Sequence, residues 1–162
     1  MAVVRTRSSW WSTFFGVRQE ARPLAVDLLR GCYIREKQQA VRYREHAERM
    51  RYQQFREALI RMAQVQDANA AALAQKIEAL GQPLPDVPPV DVADERNSWY
   101  YLRSDLEEEQ RTAGELAGDV VAVSAEFPEV AELFRRIDND GRKNRAELRD
   151  MLARSDPQAA AP

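Results

Sequence analysis

Polar side chains interrupt an otherwise apolar helical pattern in the middle of the chain. Between Phe55 and Leu80 the apolar residues recur at steps of three and four, which predicts the buried face of an amphipathic helix. That face passes through Gln66 and Asn69, where hydrocarbon side chains are expected. Because buried amides cost free energy unless they are hydrogen-bonded, we expect both to have partners. Their hydrogen-bond partners then decide what chemistry this part of the helix can support.

Three other predicted helices carry similar interruptions. Glu36 lies on the inward face of a first helix, which we expect from about Arg22-Pro23 to about residue 51, and Glu109 lies on that of the third. Gly141 and Asn144 interrupt the fourth. Glu36 precedes position 66 by 30 residues and Glu109 precedes position 141 by 32, which indicates two similar helical hairpins. We therefore expect one polar layer at mid-height of a four-helix bundle.

A proline-rich connection separates the two predicted hairpins. Residues 82–91 hold four prolines and cannot be helical. Extended, this segment and its neighbours through Asp94 span on the order of 40 Å. That length allows a crossover along the bundle, with helices two and three parallel. The expected organisation is an N-terminal arm at 1–20, a bundle at 21–155 and a disordered tail at 156–162.

Composition excludes several classes of protein. Ala, Arg, Glu, Leu and Gln are abundant and Gly is scarce, which favours an all-α fold. A net charge of −2 offers no electrostatic basis for nucleic-acid binding. Cys32 is the only cysteine, so an intrachain disulfide is impossible and a reducing compartment is expected. With no signal peptide or transmembrane segment recognised, we expect a cytoplasmic protein.

The order and spacing of several short phrases carry a resemblance to a known superfamily. The chain resembles the ferritin-like proteins of rubrerythrin and bacterioferritin type, most closely uncharacterised bacterial ferritin-like proteins. The phrases lie at residues 22–29, 45–50, 77–81, 105–109 and 155–158. The resemblance implies a four-helix bundle that holds two iron or manganese ions. In that family two helices contribute a Glu each and the other two a Glu-x-x-His each.

The chain departs from that family at the ligands. The resemblance places the two Glu-x-x-His motifs on Gln66-x-x-Asn69 and Gly141-x-x-Asn144, whereas Glu36 and Glu109 remain at the single-glutamate positions. Amide oxygens bind Fe(II) and Mn(II) poorly compared with carboxylate and imidazole. We therefore expect no metal, no other cofactor and no catalytic residue.

Two interpretations of this layer follow. In the first, the amides donate to the carboxyl groups of Glu36 and Glu109, whose pKa values burial raises above the usual value of about 4.3. The protein is then a structural or protein-interaction module, expected as a homodimer or with another protein partner. In the second, a residual iron or manganese site supports ferroxidase or rubrerythrin-like oxidoreductase chemistry. Substitute ligands for that site are Asp67, Asp138 and Asp140.

Other residues capable of chemistry have simpler interpretations. His46 is expected at the edge of the buried face of the first helix rather than at a metal, and Tyr33 and Tyr43 as inward packing with a hydroxyl to satisfy. The aromatic segment from Trp10 to Phe15 predicts an arm docked on the bundle or on a second subunit. The alternative for residues 8–17 is a helix on a membrane surface.

Overall fold

A computed structural model describes the backbone of residues 10–156 and the side chains of residues 22–156. That part of the chain consists of four α-helices and their connections. They are α1 (Trp10–Glu48), α2 (Gln53–Ala79), α3 (Ser98–Val123) and α4 (Pro128–Ala153). The all-α four-helix prediction is confirmed. The backbone of residues 10–20 of the predicted arm belongs to α1, whereas residues 1–9, the arm's side chains and residues 157–162 of the predicted tail lie outside the described residues.

Local sequence signals explain three of the helix ends, which are the starts of α3 and α4 and the end of α2. Asn97 caps α3 by accepting from the backbone N–H groups of Trp99 and Tyr100, and Pro128 opens α4. Gly81, with φ of +71°, follows the end of α2. The start expected near Arg22-Pro23 is wrong, because α1 begins at Trp10 and Pro23 lies inside it. A proline removes a single backbone hydrogen bond, and this long helix continues through it.

Contacts between the hairpins show how the helices run. Arg35 of α1 pairs with Asp119 near the end of α3, whereas His46 pairs with Asp105 near its beginning. α1 and α3 are therefore antiparallel. Because α2 returns along α1, α2 and α3 run in the same direction.

The connection between α2 and α3 lies along the outside of α1. Arg30 donates to the carbonyl of Pro83 at 3.1 Å, and Gln38 donates to the carbonyl of Pro88 at 3.2 Å. Eight helical residues advance about 12 Å, so the connection from Pro83 to Pro88 covers a comparable distance in the same direction as α1.

The polar layer lies between two apolar clusters. One cluster packs Tyr43, Leu59, Leu102 and Leu148 together with their neighbours. The other contains Leu29, Leu73, Leu116, Phe134 and Ile137. On every helix the polar positions fall between residues of the two clusters. No helix in the described part of the chain is long and apolar enough to cross a membrane.

Candidate functional site: the buried polar layer

The side chains singled out in the sequence converge inside the bundle. Five are at most 5% exposed, and Gly141 lines the cavity between the two carboxyl groups. The five are Glu36, Gln66, Asn69, Glu109 and Asn144. Each interruption of the apolar pattern by a polar side chain is therefore a buried polar group.

Glu109 is the centre of this layer. Its Oε1 accepts from the Tyr43 hydroxyl at 2.5 Å, from Gln66 Nε2 at 3.0 Å and from Asn144 Nδ2 at 3.2 Å. The donors come from α1, α2 and α4, so this single oxygen links α3 to the three other helices. Hydrogen bonds to a charged acceptor are stronger than those between neutral groups.

Glu36 has a different environment. Asn69 Nδ2 donates to its Oε2 at 3.1 Å, which joins α1 to α2. Burial raises the pKa of Glu36 to about 8, the Asn69 hydrogen bond opposes the rise and the nearby Glu109 charge adds to it. Burial also raises the pKa of Glu109, although the bonds from Tyr43 and Asn144 and the Arg145 charge oppose it. Both directions agree with the sequence-based expectation.

Arg145 brings a positive charge to the layer that sequence reasoning missed. Its side chain is only 12% exposed, with Nη1 at 3.9 Å from Glu109 Oε2 and Nη2 at 3.2 Å from Asp138 Oδ1. Arginine is abundant on the outer faces, which hid the one signal that Arg145 lies inward, its position four residues after Gly141. A Cβ atom on Gly141 would lie 3.1 Å from both Arg145 Nη1 and Glu109 Oε2. The absence of a side chain at position 141 therefore leaves room for the guanidinium.

A small cavity lies within the layer. It offers about 20 Å³ to the centres of water molecules and is lined in part by Glu36, Gln39, Gln66, Glu109 and Arg145. Gln39 is 8% exposed, and its Nε2 has no hydrogen-bond partner. Burial raises the pKa of the Tyr43 hydroxyl, and the nearby Gln39 amide opposes that rise without forming a hydrogen bond to it.

A second buried polar pair lies one helical turn away. His46 Nδ1 is 2.9 Å from both carboxylate oxygens of Asp105, and the His46 ring packs against Tyr101 at 4.8 Å between centroids. His46 is 3% and Asp105 0% exposed, so the prediction that His46 lies at the edge of the buried face is wrong. The missed signal was spacing, because Asp105 precedes Glu109 by four residues and so shares its face.

The acidic residues considered as substitute ligands all form ion pairs with basic residues. Asp67 binds Lys37 and Arg44, and Asp140 binds Lys143 at 2.7 Å. Asp138 binds Arg142 and Arg145. Over residues 22–156 no group of three or more His, Cys, Asp or Glu side chains is arranged to hold a metal ion.

No protein-family model and no curated protein matches this sequence. Solved structures do match. The Desulfovibrio desulfuricans bacterioferritin, described with its diiron site in different catalytic states, shares 16% identity at a TM-score of 0.77, over 84% of this chain and 82% of that one. Dps from Thermosynechococcus elongatus shares 14% identity at a TM-score of 0.76, over 89% of this chain and 99% of that one. These similarities establish the ferritin-like fold.

Proposed function

We propose that this chain of ferritin-like fold works without a di-metal centre, as a structural or protein-interaction module. The observation that carries the proposal is that Glu109 already has hydrogen-bond donors and a charged neighbour within the protein. Three hydrogen-bond donors already converge on its Oε1, and the Arg145 guanidinium lies beside its Oε2. The carboxyl group of Glu109 is thus satisfied by the protein's own side chains.

Charge balance supports this proposal. Two divalent ions bring four positive charges, whereas the layer offers only two carboxyl groups. One of them, Glu36, has a pKa of about 8 and is mostly protonated at neutral pH. A carboxyl group must lose its proton to ligate a metal, and Arg145 would repel a nearby cation.

Ligand chemistry supports it as well. The positions facing the two carboxyl groups carry the side-chain amides of Gln66, Asn69 and Asn144, which are weak ligands for iron or manganese. The single imidazole, His46, is bound to Asp105 instead. The donor set therefore does not fit a di-iron or di-manganese pair.

One observation favours the alternative function, a residual iron or manganese oxidoreductase site. The cavity still lies between Glu36 and Glu109, the two positions where the family carries its single glutamates. A single ion held there would have two carboxylate ligands and would need Glu36 to ionise.

Metal analysis separates these functions. We expect protein expressed in iron- and manganese-rich medium to contain far less than one ion of either metal per chain. Near-stoichiometric metal that disappears in Glu36→Ala, but not in a variant of the exposed Glu78, would support the oxidoreductase instead.

Rebuilding the ligands provides a converse test. The rebuilt variant restores the family's ligand set at four positions and replaces the guanidinium that occupies the space beside position 141. Its substitutions are Gln66→Glu, Asn69→His, Gly141→Glu, Asn144→His and Arg145→Gln. We expect this variant to bind iron, and its Glu36→Gln derivative to bind less. Near-stoichiometric iron in the natural chain, equal to that in the rebuilt variant, would contradict the proposal.

The interaction role requires a partner, and we propose a second copy or another protein. Val121 on α3 is 79% exposed and lies on the same face as Gly114, Ala117 and Gly118. This uncharged face allows another helix to approach closely. Light scattering measures the mass directly, and Val121→Arg is expected to shift a dimer toward monomer.

A further inference from the structure

We infer that the cavity between Glu36 and Glu109 is a binding site for one buried water molecule, held by the Gln39 amide and the two carboxyl groups. This inference rests on the proposed function, since a metal ion in the layer would displace the water. In this inference a water molecule, rather than a metal ion, occupies the centre of the bundle.

Size is the first argument. A buried water needs a cavity of roughly 10–15 Å³ or more, measured for the centre of the molecule. The cavity offers about 20 Å³ on that measure. One water fits, and a bulky organic ligand does not.

The second argument is an unpartnered donor. Gln39 Nε2 is buried and makes no hydrogen bond, although Gln39 lines the cavity. Leaving a buried N–H unsatisfied costs about 1–3 kcal/mol. A molecule in the cavity that accepts this hydrogen bond removes the cost.

The charges around the cavity favour a neutral molecule over an ion. Groups of both signs line the cavity. An anion would face the carboxyl groups of Glu36, Glu109 and Asp138. A cation would face the guanidinium groups of Arg35 and Arg145. Water both accepts and donates. It can accept from Gln39 while it donates to the carboxyl groups, so one molecule can pair with both kinds of group.

Crystallography of the full chain tests this inference, with diffraction recorded at the iron and manganese absorption edges. We expect a density peak within hydrogen-bond distance of Gln39 Nε2 and of a carboxyl oxygen, without anomalous signal. A cavity without density, with the Gln39 amide turned to donate to Tyr43, overturns the inference and leaves the proposed function standing. An anomalous peak overturns both.

A pair of variants tests the assigned donor. Gln39→Leu removes the amide, whereas Gln38→Leu makes the same change at the neighbouring residue, which contacts Pro88 outside the layer. We expect the peak to disappear in the first variant and to remain in the second. A peak that persists in Gln39→Leu contradicts the role of Gln39. The result for the natural chain stands by itself if a variant fails to fold.

Discussion

The carboxyl group of Glu36 links burial to the pH dependence of stability. In the unfolded chain its pKa is near 4.5, and in the folded protein burial raises it to about 8. Below pH 4.5 both states are protonated, so the group adds no pH dependence. Between these values only the unfolded state ionises, so the free energy of unfolding falls as pH rises. Above pH 8 both states are ionised, and the free energy of unfolding falls no further on account of this group.

We expect Glu36→Gln to remove that part of the pH dependence. The variant should resemble the natural protein near pH 4.5 and exceed its stability at pH 8.5 by several kcal/mol, with about 5 kcal/mol as the upper limit. Urea unfolding at a series of pH values measures the difference, with the exposed Glu78→Gln as control. A stability difference that stays constant from pH 4.5 to 8.5 argues against a raised pKa.

The Tyr43 hydroxyl is one of three donors to Glu109, and it is fully buried. We expect Tyr43→Phe to lower the free energy of unfolding by about 1–3 kcal/mol, because a carboxylate loses a hydrogen bond that water cannot replace. Urea unfolding of Tyr43→Phe is compared with that of Tyr33→Phe, whose ring is only half-buried. Equal losses in the two variants would show that the hydroxyl contributes nothing specific.

At the scale of the elements, buried polar pairs hold the two hairpins in register. His46 and Asp105 join α1 to α3, and removal of one partner leaves the other buried without this hydrogen bond. We expect His46→Phe and Asp105→Leu each to destabilise by about 1–3 kcal/mol.

The double variant His46→Phe/Asp105→Leu is the sharper measurement. It should be more stable than the sum of the two single losses predicts, because neither partner is then left unpaired. A double-mutant cycle from urea unfolding gives the coupling energy. Additive losses would mean that the two side chains act independently.

Replacement of two glycines by alanine should change the stability of the protein in opposite directions. Gly81 has φ of +71°, where a side chain is strained, whereas a Cβ on Gly31 inside α1 would meet only Arg35 Nη1 at 3.6 Å, an ordinary contact. We expect Gly81→Ala to destabilise by about 1–2 kcal/mol and Gly31→Ala to stabilise by up to about 1 kcal/mol. Thermal unfolding of each variant shows whether its melting temperature falls or rises. Stabilisation by Gly81→Ala would contradict the backbone geometry at the end of α2.

At the scale of the whole molecule, a bundle held by its own polar layer should not need an ion. We expect the melting temperature to be unchanged by a chelator and by added Fe(II) or Mn(II), because a ligand stabilises only the state that binds it. The rebuilt variant with the family's ligands should gain stability with metal. Loss of melting temperature on chelation of the natural protein would contradict the metal-free proposal.

The periodicity of single residues was enough to predict the helices and the level of the layer. Apolar steps of three and four placed Glu36, Gln66, Glu109 and Asn144 inside, since a helix has 3.6 residues per turn whatever surrounds it. Periodicity depends on neighbours in the chain, which a sequence displays. The break between α1 and α2 near residue 51 has no local signal and followed only from length, since one helix from Pro23 to Leu80 would be too long for a domain of this size.

Tertiary structure alone decided what the layer does with its charges. That His46 meets Asp105, that Arg145 turns in toward Glu109, and that Gln39 keeps an unsatisfied N–H depends on groups from different helices. The strength of a charge or hydrogen bond depends on burial and on the distance between its partners, and both are set only when the helices pack. Residue types and spacing therefore determined where the polar groups lie, and the packing of the bundle decided which of them are paired.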